Sequence, residues 1–255
     1  MKHTYVLGLV GLVLLASCMT PPTATGPGSV GPSAPVRTSS APRTPSFPRP
    51  MPPAPAQGSA LAALATLPIK GRAPRTGYAR SAFGKAWTDD NDDPLGHNGC
   101  DTRNDVLARD LRDVMFRYGH CLVASGTLVD PYTGTMIGFV RGVGTSSLVQ
   151  IDHVVPLANA WVTGAQQWTA RQRQDFANDP LELIPIEGFV NDAKGDGDAA
   201  TWLPPDKGFR CAYAARMVAI KLKWRLWVTH AEHDALARLL DRCGALGLPV
   251  EPGRL

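Results

Sequence analysis

The chain has 255 residues, 44% hydrophobic and 19% charged, with 25 Gly, 23 Pro and 5 Cys, enough for one medium domain plus a long non-globular stretch and too little for a multidomain assembly. The formal net charge is +4, but residues 1 to 76 hold seven Lys or Arg and no acid, leaving 19 basic against 22 acidic side chains from residue 77 onward. The folded part is therefore slightly acidic, which excludes a nucleic-acid binder inferred from overall basicity and requires any polyanion site to be a local patch.

Met1-Lys2-His3 precedes an apolar run from Tyr5 to Leu15, and Leu15-Ala16-Ser17-Cys18 follows. This is the layout of an export signal over residues 1 to 18. The run is too short to cross a hydrocarbon core of about 30 Å. Cys18 directly after Leu-Ala-Ser resembles the bacterial lipobox, which implies that Cys18 becomes the lipidated first residue of the mature protein and ties it to a membrane. The alternative is an ordinary cleaved signal with a chance Cys. From Met19 to Gly58 the chain is nearly all Pro, Ala, Ser, Thr and Gly, with twelve of the 23 prolines, too few large apolar groups to offset ordering entropy. Residues 19 to 76 are predicted to be a disordered linker, able to hold a domain on the order of 100 Å from its anchor. Residues 59 to 70 could form one short helix within it. Folding is expected to start near Tyr78, with a domain over 77 to 245 and a tail from 246 to 255.

With Cys18 set aside, Cys100, Cys121, Cys211 and Cys243 remain. An even number outside the cytosol points to two disulfides. Three pairings are possible; the expected one joins Cys100 to Cys121 and Cys211 to Cys243, because each loop then stays within one local unit. A zinc site is the rival, and no C-x-x-C spacing supports it.

The domain is predicted to be α+β. Thr102-Arg103-Asn104-Asp105 is a capping-box variant, and Val106, Leu107, Leu111, Val114 and Met115 follow at helical spacing, so a helix is expected over 103 to 115. Residues 121 to 129 and 135 to 140 have the composition of a hairpin around Asp130-Pro131-Tyr132-Thr133-Gly134. A short strand from Leu148 to Ile151 runs into Asp152-His153. Helices follow at about 158 to 165 and from Thr169, where Gln172 completes a capping box. A strand from Leu181 to Ile186 and a short helix from Gly188 to Lys194 come next. Helices over 207 to 225 and 230 to 242 close the domain.

The chemistry is concentrated in two segments. Gln150-Ile151-Asp152-His153-Val154-Val155-Pro156-Leu157 leaves a strand, and some forty residues on stands Asn191-Asp192-Ala193-Lys194-Gly195-Asp196. Hydrolysis of a phosphodiester needs oxygen ligands for a hard cation, a base for water and charge neutralised at the leaving oxygen. Asp152 can ligate the cation, and His153, neutral near pH 7, can accept the proton.

These two segments resemble the HNH, or ββα-metal, endonucleases. Taken with Cys-Asp-Thr-Arg-Asn at 100 to 104, Asp-Pro-Tyr-Thr-Gly at 130 to 134 and Gly-Asp-Gly-Asp-Ala-Ala-Thr-Trp-Leu-Pro-Pro at 195 to 205, the chain is similar to the DUF1524 branch. That branch is related to the C-terminal nuclease domain of GmrSD-type restriction enzymes and is common in exported bacterial proteins. The resemblance spans about residues 78 to 243. It implies a ββα-metal core with an extra hairpin and C-terminal helices, Asp152 and Asn191 as ligands of Mg²⁺ or Mn²⁺, His153 as general base and Lys194 near the substrate phosphate. It also implies in-line attack by water with 5′-phosphate ends. The middle Asn of the motif, which braces the loop carrying the catalytic His, falls at Glu182, which has no amide donor. Either nearby Asn178 takes the bracing role, or Glu182 braces with acceptor bonds only, or the site is weakened.

Between Asp206 and Glu232 there is no acid but six Lys or Arg, and Arg210, Lys221 and Arg225 share one helical face. They are candidate contacts for a phosphate backbone, against an ordinary solvated face. Arg103 and Arg141 are further candidates by resemblance. The run Asp89-Asp90-Asn91-Asp92-Asp93 is expected to be a solvated loop, or else a weak structural cation site. His230 and His233 are expected on a solvent face, and Trp202, Trp224 and Trp227 in packing. An EF-hand counted from Asp192 fails, with Lys194 at its third and Leu203 at its twelfth position. The expected function is an exported, metal-dependent endonuclease cutting DNA rather than RNA with little sequence specificity. The rival is a non-catalytic surface module that binds nucleic acid or wall polymers with its nuclease site decayed at Glu182. Nothing names an immunity partner.

Overall fold

A computed structural model describes residues 58–250. The protein is α+β, with two small antiparallel sheets among helices. The first sheet has the order β1-β2-β3, from Arg112–Phe116, Val123–Val129 and Met136–Val140. The second pairs β4, Val149–His153, with β5, Leu183–Glu187. The helices are α1 Ala60–Leu64, α2 Thr102–Asp110, α3 Leu157–Val162, α4 Ala170–Asn178, α5 Gly188–Lys194, α6 Arg210–Lys223 and α7 His230–Leu240.

The β4–β5 pair divides two apolar cores. Side chains alternate across a strand, so Val149, Ile151 and Leu183 join the core with Val106, Leu107, Val123 and Phe139, under α2 and the first sheet. Ile184 and Ile186 face the larger core of α1, α3, α4, α6 and α7. Both disulfides join the expected partners, Cys100 with Cys121 and Cys211 with Cys243. The latter fastens the start of α6 to the chain just past α7. Cys100, His120 and Cys121 bring three ligand atoms within 4.8 Å, but the two sulfurs are bonded to each other, so zinc has no thiolates there.

Three expectations need correction. The helix predicted over 103 to 115 stops at Asp110, and its cap is Asp101, whose side chain accepts from Asn104 N. Leu111 turns to extended backbone and residues 112 to 116 pair with β2 through an irregular register; cross-strand pairing outweighs helical spacing, and Met115 stays exposed. Residues 59 to 76, assigned to the linker, are structured well before Tyr78. Ala60 and Leu64 are buried in the main core, Ala60 N donates to Leu246 O at 2.7 Å, and Ser59 and Ile69 form bridges with Gly247 and Val228. Finally, the acidic run is a solvated loop only in part, with Asp90 and Asp92 exposed and its other members drawn into the fold. Asp93 is buried and pairs with Lys223 at 3.2 Å, Asp90 and Asp92 pair with Arg171, and Asp89 accepts from Asn98 N and Gly99 N.

Trp202, Trp224 and Trp227 are packing residues: Trp202 lies against Tyr132 and Tyr213, and the indole nitrogens of Trp224 and Trp227 donate to Asp179 and Gly71 O. Among the described residues no helix is long and apolar enough to cross a membrane. Cys18 lies outside them.

Candidate active site

Strand β4 ends at Asp152-His153, and α5 lies directly after its partner β5. The match between them is one of spacing. Gln150 and Asp152, two apart, share a face of the strand, while Asn191 and Lys194, three apart, share a face of the helix. Asn191 Nδ2 donates to Gln150 Oε1 at 2.7 Å and Lys194 Nζ to Asp152 Oδ1 at 2.9 Å. Gly188 permits the close approach at the start of α5, since a Cβ there would stand 2.3 Å from Ser147 O. Gly195, at φ 51°, ends the helix just past Lys194.

A cleft of about 510 Å³ opens over this junction, its wall including Arg80, Trp87, Arg103, Asp152, His153 and Asn191. His153 Nε2 lies 3.1 Å from Ala177 O. A carbonyl oxygen only accepts, so Nε2 carries the hydrogen and Nδ1 keeps its lone pair. The Trp87 indole stacks on the imidazole, with centroids 5.8 Å apart and planes at 18°. Burial, and next the charge of Arg80, push the His153 pKa down to about 3. The ring is a neutral acceptor at pH 7.

Asp152 is buried, and each of its oxygens is engaged once: Oδ1 by Lys194, Oδ2 by the Tyr132 hydroxyl at 2.7 Å. Burial raises its pKa, and Lys194 opposes that rise. Tyr132 reaches it from the turn after β2, where Asp130 caps the turn from within through Tyr132 N and Gly134 N. Lys194 does not face a substrate phosphate as the sequence led us to expect. Its side chain is fully buried and its ammonium also donates to His153 O at 2.8 Å, so it fixes the Asp152-His153 backbone and carboxylate together.

Glu182 is completely buried. Its Oε1 accepts from Val155 N at 2.9 Å and its backbone oxygen from Val154 N at 3.0 Å, so side chain and main chain both hold the segment that follows His153. Burial, with Asp179 next, raises its pKa well above the usual carboxylate range, which favours the neutral acid; Oε2 has no partner among the described residues. Asn178 has a different role from bracing that loop: Nδ2 donates to Gln174 O within α4.

Asp152 and Asn191 could offer oxygen to a hard cation. Each Asp152 oxygen retains a lone pair, and the Asn191 amide is committed through its nitrogen, which leaves Oδ1. Such oxygen donors suit Mg²⁺ or Mn²⁺, ions that keep much of their water.

The basic face predicted on α6 is not one surface. Lys221 is fully buried, its ammonium bonded to Asn159, Trp227 O and Glu232; a helical wheel cannot tell which basic side chain turns inward. Arg210 donates to Pro204 O, and Arg225 is exposed at the C-terminal end of α6 with a φ of 52°. Neither Arg210 nor Arg225 is on the cleft wall, whereas Arg103 is, and Arg141 lines the neighbouring cleft. Sequence reasoning missed Arg80, Trp87 and Tyr132. Tyr132 stands in a segment read as a turn and as part of the family resemblance without a role of its own, and Arg80 and Trp87 lie in a stretch without periodicity.

The family of GmrSD restriction endonucleases, C-terminal domain, matches residues 101–239, which include β4, β5, α5 and every polar residue of the cluster just described except Arg80 and Trp87. A protein of Arthroderma benhamiae, described as an uncharacterized secreted protein, is 38% identical over 200 residues, covering 77% of this chain and 91% of its own. No solved structure matches. The two disulfides and the secreted relative fit an extracellular setting. Sequence match and site composition agree: the chain belongs to the family of GmrSD restriction endonuclease C-terminal domains.

Proposed function

We propose that the protein is an exported endonuclease that hydrolyses DNA phosphodiester bonds with little sequence specificity, dependent on Mg²⁺ or Mn²⁺, with β4, β5 and α5 as a ββα-metal core. The observation that carries this reading is the His153 imidazole, held neutral by burial with Nε2 committed to Ala177 O, on one cleft wall with Asp152 and Asn191.

In this reading Nδ1 of His153 takes the proton of the attacking water. A substrate phosphate against Arg80 offsets the charge that depresses the His153 pKa, raising its proton affinity when a base is needed. Asp152 and Asn191 would hold the metal, whose chemistry is to neutralise charge at the departing 3′ oxygen. Lys194 and Tyr132 fix the Asp152 carboxylate, and Glu182 steadies the loop after His153. That last contact speaks against the rival of a decayed site, because the acid still makes an acceptor bond to the loop. Export with a lipid anchor on Cys18 completes the proposal, supported by the leader and the disulfides.

The test is supercoiled plasmid incubated with the full mature chain and Mg²⁺, Mn²⁺ or EDTA, beside Asp152→Ala and His153→Ala. Metal-dependent nicking should fall about 10²- to 10⁴-fold in His153→Ala while DNA is still retained in a binding assay. Intact plasmid in every lane, from folded protein, would overturn the nuclease.

A further inference from the structure

A second cleft, of about 740 Å³, adjoins the first and shares two of its wall residues, Trp87 and Arg103. Trp87 is unusual in its backbone: at φ 55° it occupies the left-handed region, where a bulky side chain is strained. The surroundings hold it there. Thr102 N donates to Trp87 O at 3.3 Å, the Thr102 hydroxyl bonds to the next carbonyl, Thr88 O, and the indole lies over His153. Strain of this kind at a cleft junction points to a side chain placed for use.

The charge of the second cleft is uneven. Arg103 donates to Ser146 O and Val149 O, and Arg141 to Val123 O and the Asn104 amide oxygen. All four acceptors are neutral, so both guanidiniums keep their charge, and the facing charge of Arg141, after burial, pushes the Arg103 pKa down. Three carboxylates share the wall: Asp89, which accepts from two backbone N–H groups, Asp90, which pairs with Arg171, and Asp101, which caps α2 and offsets part of the charge beside Arg103. Two arginines that repel each other on one cleft wall with an aromatic plane are the components of a nucleotide site.

We propose that this second cleft seats the nucleotide next to the scissile phosphate, its base stacked on Trp87 and its outer phosphate against Arg103 and Arg141. This rests on the nuclease reading. Within a duplex each base is covered on both faces by its neighbours, so a base that stacks on Trp87 has left that stack. The substrate is therefore an unpaired DNA strand, and ends, gaps and loops of duplex DNA are cut where they fray.

The decisive experiment reads binding rather than cutting, so that it stands even if the chain proves not to be a nuclease. A fluorescein-labelled 12-nucleotide DNA strand, its duplex, and a series with one abasic position moved along the strand are titrated in EDTA against the mature wild-type chain, Trp87→Ala and Trp87→Phe. Expected are tighter binding of the strand than of the duplex, and about a tenfold loss at one abasic position in wild type and Trp87→Phe. In Trp87→Ala the strand already binds about tenfold more weakly and the abasic position costs nothing further. A purely structural role for Trp87 would leave the abasic penalty the same in Trp87→Ala as in wild type. That result, or equal affinity of wild type for strand and duplex, would overturn the proposal. Absence of cleavage of both the single strand and the plasmid in Mg²⁺ or Mn²⁺, with these binding results intact, would instead overturn the nuclease and leave the nucleotide site standing.

Discussion

Among the described residues two lysine–carboxylate pairs are buried, and they differ in what lies beside them. Lys194 pairs with Asp152 at 2.9 Å, and Asp152 belongs to the wall of an open cleft. Lys221 lies 3.0 and 3.1 Å from the two oxygens of Glu232, deep in the helical layer with Asn159 and Trp227 O as its other partners. In both, burial raises the carboxyl pKa and the lysine opposes it. Perturbed ionisation therefore does not separate the two pairs; contact with a cleft does. The Lys221 pair ties α6 to α7 and α3, and nothing from solvent reaches it.

The sharpest test replaces each lysine by methionine, which keeps length and removes charge. Removing one partner of a buried pair costs about 3–5 kcal/mol, so both Lys194→Met and Lys221→Met should lose stability on that scale in urea titrations. Only Lys194→Met should also lose nicking activity when assayed well below its midpoint. Equal activity of the two variants would erase the distinction. A third pair offers a milder test, because it has one acid too many. Lys223 lies 3.2 Å from Asp93 and 3.0 Å from Asp179, and burial, with Asp179 next, pushes the Asp93 pKa up to about 7. A carboxyl raised in the folded state binds its proton more tightly than in the unfolded chain, so its contribution is largest at low pH and is lost as pH rises from about 4 to about 7. Asp93→Asn should remove that slope, by at most about 1.4 kcal/mol per pH unit, and thermal melts of both proteins from pH 4 to 8 would measure it. Glu182→Gln should change least. A neutral acid and an amide both present an oxygen to Val155 N, so stability at pH 7 should stay within about 1 kcal/mol and activity should persist. A large gain on Glu182→Gln would mean that the carboxyl is ionised after all.

The order of strands and helices was legible because each segment from Leu148 to Lys194 is short, periodic and bounded by its own capping or turn residues. The β4–β5–α5 junction needed only that order. What could not be read was direction. Lys194 and Lys221 are each one basic residue in a polar-looking segment, and whether such a side chain turns into the core depends on an acid 42 or 11 positions away. Met115 and Val114 continue a helical pattern that pairing with β2 overrides. Arg80 and Trp87 come from irregular chain, whose placement is set by what packs around it rather than by any local rule. Glu182 was visible as a departure from the family pattern; that it accepts rather than donates in holding the loop depends on where Val155 N stands.

The anchorage of α1 has a mechanical side. Ser59 is bridged to Gly247, four residues past Cys243, which is covalently bound to Cys211 at the start of α6. Tension applied at residue 58 is therefore taken up as shear between these neighbouring segments and handed to α6 and α7 through a covalent link. The leading end of the domain is thereby tied to the helical layer at points outside β4, β5 and α5.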